Sequence, residues 1–105
     1  MNKDTTISKI RNIASSAIPN GGKAILYGSH ARGDAHKDSD WDILILLDKD
    51  KLVQADFDKV SYPFVLLGCE IGEEINPIMY TKKSGKATGI LLFTKTYPAT
   101  ASIYR

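Results

Sequence analysis

Two aspartates, Asp40 and Asp42, stand two residues apart at the head of an unbroken apolar run, Ile43-Leu44-Ile45-Leu46-Leu47. On a strand such residues point to the same face. Two carboxylates converging there repel each other and tend to hold a proton. A hard divalent cation removes the conflict, and magnesium favours one or two carboxylates completed by substrate phosphates and water. Upstream lies Gly28-Ser29 at a strand-to-helix junction. Glycine lets a phosphate approach the backbone closely. The helix start that follows offers amide groups and the positive end of a dipole. Ser29 adds a hydroxyl donor, and Arg32, one turn on, can reach phosphate oxygens with its forked guanidinium. Either feature alone is ordinary: most Asp-x-Asp pairs are solvated, and most Gly-Ser pairs are plain turns.

The elements that must hold these residues can be read from periodicity. Apolar residues from Thr5 to Ile18 recur at helical spacing, with Asp4 or Thr5 as cap and Pro19-Asn20-Gly21-Gly22 as stop. Ala24 to Tyr27 is a short strand running into Gly28-Ser29, and His30-Ala31-Arg32 opens a short helix. The run after Asp42 suits a strand buried on both faces. A second helix is expected over Asp56 to Ile71, with Phe57, Val60, Phe64, Leu67 and Ile71 along its buried face. Pro63 requires a kink or a fresh helix start there, and Gly72 ends the segment. Glu74 to Lys82 is a third strand, which Pro77 places at a sheet edge or a bulge.

The order Gly28-Ser29-His30-Ala31-Arg32-Gly33-Asp34, then Asp40-Trp41-Asp42 and an apolar strand, resembles the signature of the nucleotidyltransferase superfamily, most closely its small stand-alone minimal members. The resemblance covers roughly residues 23–83. It implies an α/β (α+β) nucleotidyltransferase fold, a short mixed sheet with helices packed on it. It implies transfer of a nucleoside monophosphate, AMP foremost, from a nucleoside triphosphate to an acceptor hydroxyl. Gly28 and Ser29 then bind nucleotide, with Arg32 beside them. Asp40 and Asp42 hold metal, Mg2+ in a two-metal arrangement that activates the acceptor oxygen and steadies pyrophosphate. Relatives add a third carboxylate from a neighbouring strand. Glu74 is the candidate by position, with Glu73 and Glu70 as alternatives, and a solvated acidic turn accounts for them equally well. Such small members also pair with a helical toxin-type protein, so an antitoxin-like binding module with little catalysis is the competing function.

Composition is that of one small globular domain: 105 residues, 43% hydrophobic and 25% charged. A net charge of +2 with scattered Lys and Arg suits a phosphate ligand and does not call for a nucleic-acid footprint. The single cysteine, Cys69, is expected as a buried or half-buried thiol. No apolar stretch reaches membrane-spanning length and no leader pattern is present, so a cytoplasmic location is expected. Trp41, facing away from the aspartates, is expected to pack rather than stack on a base. His30 and His36 are expected at the surface, and Tyr27 and Tyr80 in the core or on a sheet face.

From about Ser84 the chain departs from the resemblance. Relatives continue with an acidic residue and Trp, a short helix like Ser/Thr-Pro-Phe-Tyr-Lys-Asn-Val, and an end on Gly-Ile-x-Leu. Residues Ile90 to Pro98 can be back-translated so that the neighbouring frame reads Ser-Pro-Phe-Tyr-Lys-Asn-Val-Ser. Loss of one base in the codons of Lys82-Lys83 would suffice. The expected result is a tail without the terminal helix, apolar from Ile90 to Phe93, that seeks a sheet edge or frays. The gene sequence at those lysines decides the matter.

Overall fold

The apolar run after Asp42 forms the middle of the sheet. In the computed structural model, which describes residues 3–33, 35, 39–84 and 101–104, strand β2 (Trp41–Leu47) lies between two partners. β1 (Lys23–Tyr27) pairs with it antiparallel and β3 (Ile75–Thr81) parallel. β4 (Ala101–Tyr104) adds antiparallel to the outer side of β1, giving the order β3-β2-β1-β4. Every residue from Ile43 to Leu47 is at most 2% exposed, as a strand covered on both faces must be. Burial of each such side chain contributes about 1.5–3 kcal/mol.

Helices cover one face. α1 (Lys3–Ala17) supplies Ile10 and Ala14 to a core that also holds Ile43, Ile45, Phe64 and Leu67. It starts earlier than its expected caps, so Asp4 lies in the first turn, where its charge favours the dipole. Tyr27, Leu44 and Leu46 form a smaller cluster on the other face, with Ile25 against it. α2 (Ser29–Arg32) joins β1 to the loop before β2, and α5 (Lys82–Ser84) follows β3.

The segment expected as one helix from Asp56 is helical without a break, and it is built of α3 (Gln54–Asp56), a π-helical turn (Phe57–Ser61) and α4 (Tyr62–Ile71), with Asp56, Phe57, Ser61 and Tyr62 all in the right-handed helical region. Pro63, which cannot donate a helical hydrogen bond, sits just after the π-helical turn. The wider turn corrects the expected buried face. An extra residue per turn rotates Phe57 outward, to 43% exposure, while Val60, Phe64 and Leu67 stay buried. Cys69 is also corrected. It is exposed, because Leu67 and Gly68 take the inward positions of that turn. Gly72, at φ 73°, ends α4 in the left-handed region with its N–H on the Gly68 carbonyl.

β3 is an edge strand, which is where Pro77 can be tolerated. The Glu74 carbonyl accepts the Trp41 N–H at 2.8 Å. By the alternation of a parallel ladder, Asn76, Ile78 and Tyr80 then bond to β2, while Ile75, Pro77 and Met79 turn their backbone groups outward. At the other edge, the last described residues of the tail occupy the outer side of β1. The expected behaviour of Ile90 to Phe93 falls outside the described residues. Among those described, no helix is long and apolar enough to cross a membrane.

Candidate active site

β1 delivers Gly28, and β2 delivers Asp42, to one place. Tyr27 is paired with Asp42 across the antiparallel ladder, so Gly28 follows directly beside that carboxylate. Gly28 has φ 77° and ψ −158°, a combination open essentially to glycine alone. A Cβ added there would collide with Asp42 Oδ2. The turn expected to cradle phosphate is thus packed against one of the two expected metal ligands. Ser29 then opens α2, and Gly33 closes it in the left-handed region with its N–H on the Ser29 carbonyl at 3.0 Å. Arg32 is the last residue of α2; the reach of its side chain lies outside the described residues, as does His36.

Asp40 immediately precedes β2 and is half-buried, as is Asp42. Sequence reasoning missed Asn76. It lies beside Asp42 in the parallel register, and its amide Nδ2 donates to Asp40 Oδ2 at 3.2 Å. The position next to Asp42 on the neighbouring strand therefore carries an amide, not a carboxylate. Only the register reveals this, although a polar residue inside Ile75-Asn76-Pro77-Ile78 was the available signal.

Glu74 is exposed, and its backbone is fixed to Trp41. Its carboxyl is held above the usual range, first by the negative charge of Asp40, then by a hydrogen bond shared with Asp40, and last by partial burial. The fold thus brings Glu74 to Asp40. Glu73 is half-buried one residue earlier, and Glu70 is exposed on α4.

Trp41 points away from the aspartates and is 2% exposed. Its ring stacks on His30, with centroids 3.5 Å apart and planes 11° apart. His30 is half-buried rather than a surface residue, because α2 folds back over the start of β2. Its Nε2 lies 3.2 Å from the Ser39 carbonyl, so that nitrogen carries the proton. The other ring nitrogen, Nδ1, and Trp41 Nε1 are buried without hydrogen-bond partners among the described residues.

Two hard-oxygen donors, with the space beside one of them kept open by the missing Cβ of Gly28, fit a divalent cation that draws its remaining ligands from phosphate and water. Among the described residues, no three His, Cys, Asp or Glu side chains gather as a self-sufficient metal site.

Residues 7–81 match the nucleotidyltransferase domain family. The chain belongs to that family. The match takes in Gly28, Ser29, Asp40, Asp42 and Glu74 and stops before the tail. Two solved structures share the nucleotidyltransferase fold. One is described as a toxin–antitoxin with AMP-PNP, with a TM-score of 0.66 and 18% identity over 93% of this chain and 72% of the other. The second is a mutant of the toxin–antitoxin MntA–HpeT in which two aspartates, two positions apart, are replaced by glutamate. It has a TM-score of 0.65 and 16% identity over the same shares of the two chains. No curated protein gives a sequence match.

Proposed function

We propose that this nucleotidyltransferase domain binds a nucleoside triphosphate on Gly28 and Ser29, with Arg32 alongside, and transfers its nucleoside monophosphate, AMP foremost, to an acceptor hydroxyl. The observation that carries this is the packing of Asp42 against Gly28, which makes the phosphate turn and the carboxylate pair one site. Asp40 and Asp42 would hold Mg2+, which when bound neutralises the triphosphate and stabilises charge on the oxygens that enter and leave. The chain's own groups position the reactants. The Gly28 backbone lets phosphate lie against the strand end, and the Ser29 hydroxyl donates to it. The Asn76 amide holds Asp40 by one carboxylate oxygen. In the transfer, the acceptor oxygen bonds to the α-phosphorus, the bond from that phosphorus to the β-phosphate oxygen breaks, and pyrophosphate departs.

One of the neighbouring structures is described with AMP-PNP, and another carries paired aspartate substitutions with the spacing of Asp40 and Asp42. Both support the reading. The test is incubation with labelled triphosphates and magnesium, with and without a candidate partner. Asp42→Asn should abolish metal-dependent nucleotide binding and transfer while the protein stays folded. Full activity in that variant would remove the pair from the chemistry.

A second function has its own support. Asn76 stands where a third carboxylate would complete the set, and both neighbours are described as toxin–antitoxin assemblies. An antitoxin-like module that grips a small helical toxin-type partner, with little or no catalysis, accounts for both. Partner binding that survives Asp42→Asn, with no transfer by the unaltered protein, would favour it.

A further inference from the structure

The short helix α2 carries Ser29, and the chain alone does not fix its place. It has four residues, too few for a helix to hold its shape unaided. Gly28 precedes it and Gly33 follows it, both at positive φ, so the backbone at either end permits more than one direction. The phosphate turn and the carboxylate pair can act as one site only if side chains hold α2 against the start of β2. His30 supplies that link. Its ring lies on Trp41 with centroids 3.5 Å apart, and its Nε2 donates to the Ser39 carbonyl at 3.2 Å.

Both partners of His30 adjoin the carboxylates. Ser39 directly precedes Asp40, and Trp41 stands between Asp40 and Asp42. Trp41 is also tied on its other side. Its N–H donates to the Glu74 carbonyl at 2.8 Å, at the entrance of β3, and β3 carries the Asn76 amide that holds Asp40. α2, β2 and the approach to β3 therefore meet on Trp41, and His30 is the residue that brings α2 there. The ring is not placed for proton transfer. With Nε2 engaged by Ser39, its remaining nitrogen, Nδ1, is buried and closed to an acceptor hydroxyl. Nor does stability explain the choice of residue. Nδ1 has no hydrogen-bond partner among the described residues, and a buried polar atom left so lowers stability. A phenyl ring at position 30 would stack without that loss.

We propose that His30 is a positioning residue of the transfer site. It locks α2 to the start of β2, so that a triphosphate on Ser29 and a divalent cation on Asp40 and Asp42 strengthen each other's binding. The proposal rests on the transfer site at Asp40 and Asp42. Two ligands help each other only while the groups that hold them keep a fixed separation. The hydrogen bond from Nε2 to Ser39 sets that separation, because it ties the residue after Ser29 to the residue before Asp40. The stack on Trp41 holds the ring at the angle that makes the bond.

The test measures ATP affinity by calorimetry on the full chain, with magnesium and with a chelator, for the wild type and two variants. His30→Phe keeps a ring for the stack and has no donor. His30→Gln returns an N–H at the reach of Nε2. Magnesium should tighten ATP in the wild type. In His30→Phe that gain should shrink about fivefold, the lower end of the coupling between two sites, while affinity in chelator and the Tm hold. Trp41 is the single tryptophan, and its short-wavelength, buried emission should persist in His30→Phe as the sign of an intact stack. His30→Gln should recover part of the gain. An undiminished gain in His30→Phe overturns the proposal, as does a variant that loses its gain together with cooperative melting or buried emission, since His30 would then be merely structural. A His30→Gln no better than His30→Phe overturns it too. The wild type separates the two claims. Indifference to magnesium there overturns the transfer site itself, whereas an equal response in wild type and His30→Phe overturns the positioning role alone.

Discussion

Replacing Asn76 by aspartate sets a further carboxylate directly beside Asp40 and Asp42. In the native protein the Asn76 amide and Asp40 Oδ2 are 3.2 Å apart. Two like charges at that separation repel by about 1 kcal/mol at the dielectric of water and about 5 kcal/mol at an effective dielectric of 20. Protonation limits the penalty. Keeping one carboxyl neutral at pH 7 costs roughly three pKa units, or about 4 kcal/mol. Loss of the hydrogen bond adds about 1 kcal/mol. Asn76→Asp should therefore lose about 2–4 kcal/mol at pH 7 in the presence of a chelator, a fall in Tm of roughly ten degrees or more. Asn76→Ala should lose only about 1 kcal/mol. Magnesium should restore much of the aspartate variant's loss, since a ligand at a hundred times its Kd adds about 2.7 kcal/mol, and should do little for the alanine variant. Thermal or urea unfolding of both variants, with chelator and with magnesium, reads this directly. An aspartate variant that melts with the wild type, or gains no more from magnesium than the alanine variant, would show that Asn76 does not border a cation site.

Gly28→Ala should lose about 1–3 kcal/mol, from a backbone conformation closed to side chains, and should bind triphosphate poorly because its Cβ displaces Asp42; calorimetry checks both. The Glu74 carboxyl is raised in the fold chiefly by Asp40, so its contribution is most favourable at low pH and declines as pH rises from the ordinary glutamate value through the raised one. Glu74→Gln should flatten that decline and raise the Tm of the magnesium-free protein at pH 7. Asp56 behaves oppositely. Its carboxyl is lowered by the Lys49 ammonium at 2.8 Å and by the Val53 N–H, so its stabilisation is present above pH 4 and lost as pH falls through the lowered value. Asp56→Ala should cost about 1 kcal/mol at neutral pH and progressively less as the pH is lowered, by urea unfolding.

Local pattern carried the fold a long way. The double-sided burial of β2 followed from its unbroken apolar run, the end of α4 from Gly72, and the edge position of β3 from Pro77. Phe57 was misplaced because helical periodicity assumes a uniform turn and Phe57 opens a π turn; Cys69 was misplaced because the burial preference of a thiol says nothing of which helix face carries it. Asp40, Asp42 and the Gly28 turn were legible because their spacing is local. Asn76 was not, since a partner on a parallel strand is fixed by register across 36 residues, which no local pattern encodes.

β2 is both the core of the sheet and the carrier of Asp42. Backbone amides in such a strand exchange with solvent only when the whole domain opens. A ligand held by Asp42 should therefore slow, by one common factor, every amide that exchanges only through global opening, including those far from the site. Global exchange rates would then act as a meter of nucleotide occupancy, readable at residues far from any contact.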